Sequence, residues 1–167
     1  MILGAPSVFI AHPQTTAIDL AAIDRLAEMF RDNFLDRGWV VLPLHREPLD
    51  AADAHVRIGD GASLLASNVE SIVRSDLLLV IATELEEPSS IWVEAGIAIA
   101  RNVPLVVVAD PTVRMPFLVR TATALGAHAI GGRPGRLVLT SSLSAPADQT
   151  QQAQAVKDLV DSIIADR

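Results

Sequence analysis

Along the chain, short runs that are apolar at every position alternate with longer stretches in which apolar residues recur three and four apart. The run "SVFIAH" (7–12) has the first pattern and predicts a buried strand. Behind it Ile23, Leu26, Ala27, Phe30 and Phe34 return at helical spacing until "DRG" (36–38), where Gly38 supplies a stop. The alternation continues with a strand in "WVVLPL" (39–44) and a helix from about Asp60 to Arg74 with Leu65, Val69 and Ile72 inward. A third strand follows in "LLLVIA" (77–82). Next come a helix from Ser89 or Ser90 to Arg101 or Asn102, and a fourth strand in "PLVVVAD" (104–110). A short Pro-flanked helix in "PFLVRTATALG", a strand in "RLVLTSS" (136–142) and a last helix over about 151–165 complete the pattern. The polar connection "HREPLDAADAHVRIGDGA" (45–62) is longer than a simple connector needs, which marks it as a binding loop.

Strands that are apolar throughout must be covered on both faces, and the helices between them supply the cover. The prediction is therefore an α/β chain with a three-layer, doubly wound parallel sheet of flavodoxin-like type, one domain over residues 1–167. In such sheets ligands lie beyond the carboxyl ends of the strands, where the strand order reverses. Residues 12–16, 43–50 and 83–94 are expected to converge there.

Composition narrows the function. With half of its 167 residues hydrophobic and 20% charged, the chain has enough apolar material for one large core. A net charge of -7 without a basic run argues against extended nucleic-acid or anionic-membrane binding, both of which need dense Lys and Arg, so the expected partner is a small molecule. There is no cysteine, hence neither a disulfide framework nor a thiolate metal site, and no His, Asp and Glu cluster at ligand spacing. Neither metal nor other cofactor is expected. The apolar window Ile91 to Ala109 is about as long as a bilayer span, but Glu94, Arg101, Asn102 and Pro104 interrupt it as a helix, turn and strand require. The first residues carry no basic leader with a long apolar stretch, so a cytoplasmic location is expected.

One carboxylate stands out. Glu94 lies among Ile91, Trp92, Val93, Ala95, Ile97, Ala98 and Ile99, where an unpaired charge is costly. Interaction with the helix dipole would explain it for some tenths of a kcal/mol, but a capping box wants Glu three residues after the capping Ser, and Glu94 stands four after Ser90 and five after Ser89. Costly carboxylates cluster at functional sites. Gly96, which weakens a helix interior, would let a backbone or ligand come close.

The segments "SVFIAHP", "VVLPLHRE", "NVESIVRSDLLLVIA" and "PSSIWVEAGIAIARNVPLVVV" resemble, in order and spacing, the nucleoside 2-deoxyribosyltransferase superfamily, including its nucleoside 5'-monophosphate N-glycosidases. The resemblance covers residues 7 to about 123. It implies that Glu94 is the nucleophile that attacks the anomeric carbon in a hydrolase or a transferase. Ser89, after Pro88, would bind a 5'-phosphate, while helix capping remains an equal reading for Ser89 and Ser90. His45, Arg46 and Glu47 resemble a loop segment in which Arg46 would pair with phosphate or a base carbonyl; His12 and Pro13 fall in the first substrate loop. Asp76 matches a family position at the amino end of a strand and reads as structural. Two departures matter. Asn68 replaces an Asp that the family places near the base, and no aromatic follows Pro13, leaving Trp92, Trp39 or Phe117 to stack, though each reads better as core. The resemblance further implies a homodimer or larger assembly, with the apolar segment 115–126 at the contact and Arg120, Thr121 or Thr123 near the partner's pocket. Two alternatives stay open. "SVFIAHP" with "SSIWVE" also resembles a TIR-like NAD glycohydrolase, and Asn68 suits a non-catalytic nucleotide-binding sensor.

Overall fold

The computed structural model describes residues 4–12, 20–42, 58–82, 90–124, 135–139 and 149–165. The elements follow in the order β1 (Ser7–Ala11), α1 (Leu20–Asp36), β2 (Val40–Leu42), α2 (Ile58–Arg74), β3 (Leu77–Ala82), α3 (Ser90–Ala100), β4 (Leu105–Ala109), α4 (Phe117–Ala124), β5 (Gly135–Leu139) and α5 (Gln149–Ala165). All five strands are parallel, in the order β2-β1-β3-β4-β5. The chain winds outward from β1 to β2, then crosses to β3 and on to β5. The reversal therefore lies between the carboxyl ends of β1 and β3, where doubly wound sheets hold their ligands.

The uniform apolarity of the strands has a simple origin in their two-residue period. Val8 and Ile10 of β1, Leu79 and Ile81 of β3, and Val106 and Val108 of β4 meet Leu26, Phe30 and Phe34 of α1 and Val156 and Val160 of α5. Their neighbours Phe9, Leu78, Val80 and Val107 pack in a second core with Ile72 of α2, Ile91, Ala95 and Ala98 of α3, and Val119 of α4. Each fully buried Leu, Ile, Val or Phe contributes roughly 1.5–3 kcal/mol relative to exposure. Trp39 closes the first core, its ring 5.3 Å from that of Phe34.

Two helices stop by the same device. Gly38 (φ 76°) and Asn102 (φ 56°) both take the left-handed conformation that most side chains avoid. Behind α1, Gly38 N donates to Leu35 O and Trp39 N to Phe34 O; behind α3, Asn102 N donates to Ile99 O and Val103 N to Ala98 O. This paired pattern satisfies carbonyls that the helix leaves open. At the amino edge of the sheet, Asp76 Oδ2 accepts from Ser7 N at 2.9 Å and Ser7 Oγ at 3.1 Å, tying β3 to β1. Asp76 is thus structural, on the edge away from the ligand side.

Two expectations need correction. Leu65, expected inward with Val69 and Ile72, is 51% exposed, whereas Val69 is half-buried and Ile72 is buried, so the inward face of α2 holds only over its last turns. Phe117, assigned to the core, is 78% exposed at the start of α4. It is Val119, two residues on, that turns inward.

Candidate functional site

Helices α2 and α3 lie side by side and both end at the amino edge of the sheet, α2 feeding β3 and α3 feeding β4. Asn68 and Glu94 each stand six residues before the end of their helix, so the two side chains are brought level across the seam. Asn68 Nδ2 donates to Glu94 Oε1 at 3.0 Å. Glu94 shares its buried stripe with Ile91, Ala95 and Ala98 and is itself only 8% exposed. Among the described residues no cation forms an ion pair with it. Burial pushes its pKa from 4.5 up to about 7, and the Asn68 hydrogen bond pulls the other way. Near neutrality the group therefore populates both states, and it can attack as a carboxylate or carry a proton.

The remaining predicted site residues divide. His12, at the carboxyl end of β1, is buried, and its Nδ1 lies 3.9 Å from Asp24 Oδ1 on α1. That separation is too long for a hydrogen bond, but it places the ring toward the α1 layer and not toward the α2–α3 seam. Ser90 opens α3 and is exposed. Gly96 is two residues beyond Glu94, about 200° around the helix, and it is exposed; a Cβ there would meet nothing within 4 Å. It is not brought to the carboxylate, and among the described residues no backbone approaches it. Pro13, His45, Arg46 and Ser89, with Glu47, lie outside the described residues.

Of the aromatic candidates, Trp39 is buried beside Phe34 before β2, and Trp92 is half-buried against the α2–α3–α4 core. Phe117 is exposed where α4 leaves the carboxyl edge. Thr123 turns inward, its Oγ1 donating to Val119 O at 2.9 Å, whereas Arg120 is exposed and Thr121 half-buried. Asp110 escaped the sequence reading. It is buried at the carboxyl end of β4, where Oδ1 accepts from Thr112 N at 3.0 Å and Thr112 Oγ1 at 2.8 Å. An Asp followed two residues later by Thr at a strand end is the available signal, and the turn it forms accounts for these bonds.

With the fold and this pair in place, the chain is an α/β protein of three-layer, flavodoxin-like architecture. No family model matches it, and no curated protein matches it. Among solved structures, a CMP N-glycosidase of Clostridium botulinum is similar, with a TM-score of 0.53 and 13% identity over 90% of this chain and 97% of that one. That likeness establishes a shared fold. A conserved protein from Enterococcus faecalis reaches a TM-score of 0.49 at 16% identity, covering 92% of this chain and 98% of that one. An FMN-dependent NADH-azoreductase from Bacillus anthracis, in complex with FMN, reaches 0.47 at 8% identity, with 98% of each chain covered. No helix among the described residues is long and apolar enough to cross a membrane, and no group of three or more metal-ligating side chains is found there.

Proposed function

We propose that the chain cleaves the N-glycosidic bond of a nucleoside or nucleoside 5'-monophosphate, with Glu94 as the nucleophile. The observation that carries this is the buried Glu94 carboxylate, held through one oxygen by Asn68 on the seam of α2 and α3. The fold shared with a CMP N-glycosidase supports the same choice of chemistry. In the ionised state the oxygen that Asn68 leaves uncommitted attacks the anomeric carbon, and the fixed charge stabilises the oxocarbenium-like transition state. Water then resolves the glycosyl ester, as in retaining glycosidases. Asn68 acts by holding the carboxylate, since an amide does not exchange a proton near neutral pH. Ser90, which opens α3, and Ser89, which precedes it in sequence, are the proposed holders of a 5'-phosphate, because a helix start concentrates unpaired N–H donors.

Incubation with nucleosides and their 5'-monophosphates, followed by chromatography, tests the proposal. Release of free base that disappears in Glu94→Gln is the expected result; base release undiminished in that variant removes Glu94 from the role. Tighter binding of the monophosphate than of its nucleoside is expected if the serines hold phosphate, and equal affinity counts against them. A second reading, a non-catalytic nucleotide-binding module, is favoured by Asn68 itself, which cannot supply the proton that an Asp there could. Ligand binding without release of any base by the unsubstituted protein selects it.

A further inference from the structure

Breaking an N-glycosidic bond requires stabilisation of the positive charge that grows on the sugar and a place for the electron pair that stays on the base. For a neutral base the second need is met by a proton, and a positioned acid contributes typically 10²–10⁴-fold. Next to Glu94 the structure puts an amide. Asn68 is half-buried, its Nδ2 bonded to Glu94 Oε1 at 3.0 Å, and it has no proton to give. Glu94 cannot be the ionised nucleophile and the acid in one step. The His12–Asp24 pair lies on the β1–α1 side, so among the described residues Asn68 is the polar side chain shown against Glu94.

The charge balance of the seam points the same way. Glu94 is buried and, among the described residues, paired with no cation. A buried anion without a counter-charge favours a ligand that brings one. Resting on the assignment of Glu94 as nucleophile, we infer that the substrate is a nucleoside or nucleotide whose base is already cationic, either an N-ribosylated pyridinium or an N-alkylated purine.

The chemistry then closes without an acid. The uncommitted Glu94 oxygen forms a bond to the anomeric carbon as the carbon–nitrogen bond breaks. The electron pair of that bond remains on the ring nitrogen, cancels its positive charge, and the base departs neutral. Water next attacks the anomeric carbon and displaces the carboxylate, its proton passing to solvent; the free sugar and ionised Glu94 are restored.

The test is a comparison of initial rates on five ribosides: nicotinamide riboside, 7-methylguanosine, uridine, adenosine and 4-nitrophenyl riboside, the nucleosides also as 5'-monophosphates. The two cationic compounds are expected to react faster than uridine and adenosine by about 100-fold or more. Cleavage of only one of them supports the inference and identifies pyridinium or purine as the source. The nitrophenyl compound separates the two levels of the argument, because its phenolate leaves without a proton. If it is cleaved while uridine or adenosine keeps pace with the cationic bases, or while neither cation reacts, the charge inference is overturned and Glu94 stands. No cleavage of any compound overturns the Glu94 assignment. Asn68→Asp places an exchangeable proton beside Glu94 and is expected to narrow the cationic-to-neutral rate ratio by about tenfold or more. An unchanged ratio in a folded, active variant also overturns the inference.

Discussion

Replacing Glu94 by Gln is expected to make the folded protein more stable, by an amount that grows with pH. The side chain is nearly isosteric, and its amide oxygen can still accept the hydrogen bond from Asn68 Nδ2. What changes is the charge. Burial raises the folded-state pKa from 4.5 to about 7. An acid whose pKa rises on folding binds its proton more tightly in the native state, so stability is highest below the unfolded value and falls as pH climbs toward the folded one. At about 1.4 kcal/mol per pKa unit, the full loss above neutrality is on the order of 3 kcal/mol, a large share of a typical domain's stability. Gln carries no such loss. Urea unfolding of both proteins at about pH 5 and about pH 8.5 measures it, and the advantage of Glu94→Gln is expected to widen by roughly 2–3 kcal/mol between those conditions. An advantage that is the same at both pH values, or that shrinks as pH rises, refutes the view of Glu94 as a buried carboxylate opposed by desolvation.

Other expectations follow from the same geometry. With Glu94 as an ionised nucleophile, kcat/KM rises about tenfold per pH unit below its pKa of about 7 and levels above it; a pH–rate profile falling through that range contradicts the role. Asn102→Ala is expected to lose about 1 kcal/mol in denaturant unfolding, since Ala is strained at φ 56°, whereas Asn102→Gly keeps or raises stability. Gly96→Ala, into open space on an exposed helical position, is expected to stabilise by about 0.5–1 kcal/mol, and a loss on unfolding shows that the position is constrained. Phe117 and Leu118, 78% and 73% exposed, are expected to be covered in a homodimer. Light scattering of Phe117→Ser with Leu118→Ser is expected to give a monomer, and a monomeric unsubstituted protein rejects the contact.

The sheet was legible because periodicity is a local signal. Ile23, Leu26, Ala27, Phe30 and Phe34 point one way on any helix, and all five are buried in α1. Parallel pairing and helical cover on both faces follow from the alternation of strands with helices, so the three layers needed no further information, whereas the order β2-β1-β3-β4-β5 is read from the structure. Leu65 and Phe117 were misread because helical spacing and side-chain type express a preference for burial and not what stands against a given position. Glu94 was legible as a cost, a charge on an apolar helix. Its partner was not. Asn68 drew attention through a resemblance, and only the common end-point of α2 and α3 makes the two side chains neighbours. Asp110 was missed because the bonds its carboxylate accepts from Thr112, two residues on, leave no trace in the hydrophobic pattern.

The equal offset of Asn68 and Glu94 from the ends of their helices bears on how this protein can be re-engineered. Position in the seam is counted backward from the amino edge of the sheet, where β3 and β4 are locked in register, Leu78 beside Leu105. Adding or removing a residue in the connection that enters α3 from β3 is therefore expected to leave the depth and direction of the carboxylate as they are. A single residue inserted between Glu94 and Ala100 would instead swing Glu94 by about 100° and lift it by about 1.5 Å, out of reach of Asn68. Length variation upstream of the pair leaves the seam as it stands, while the few residues downstream act as a ruler that fixes where the carboxylate lies.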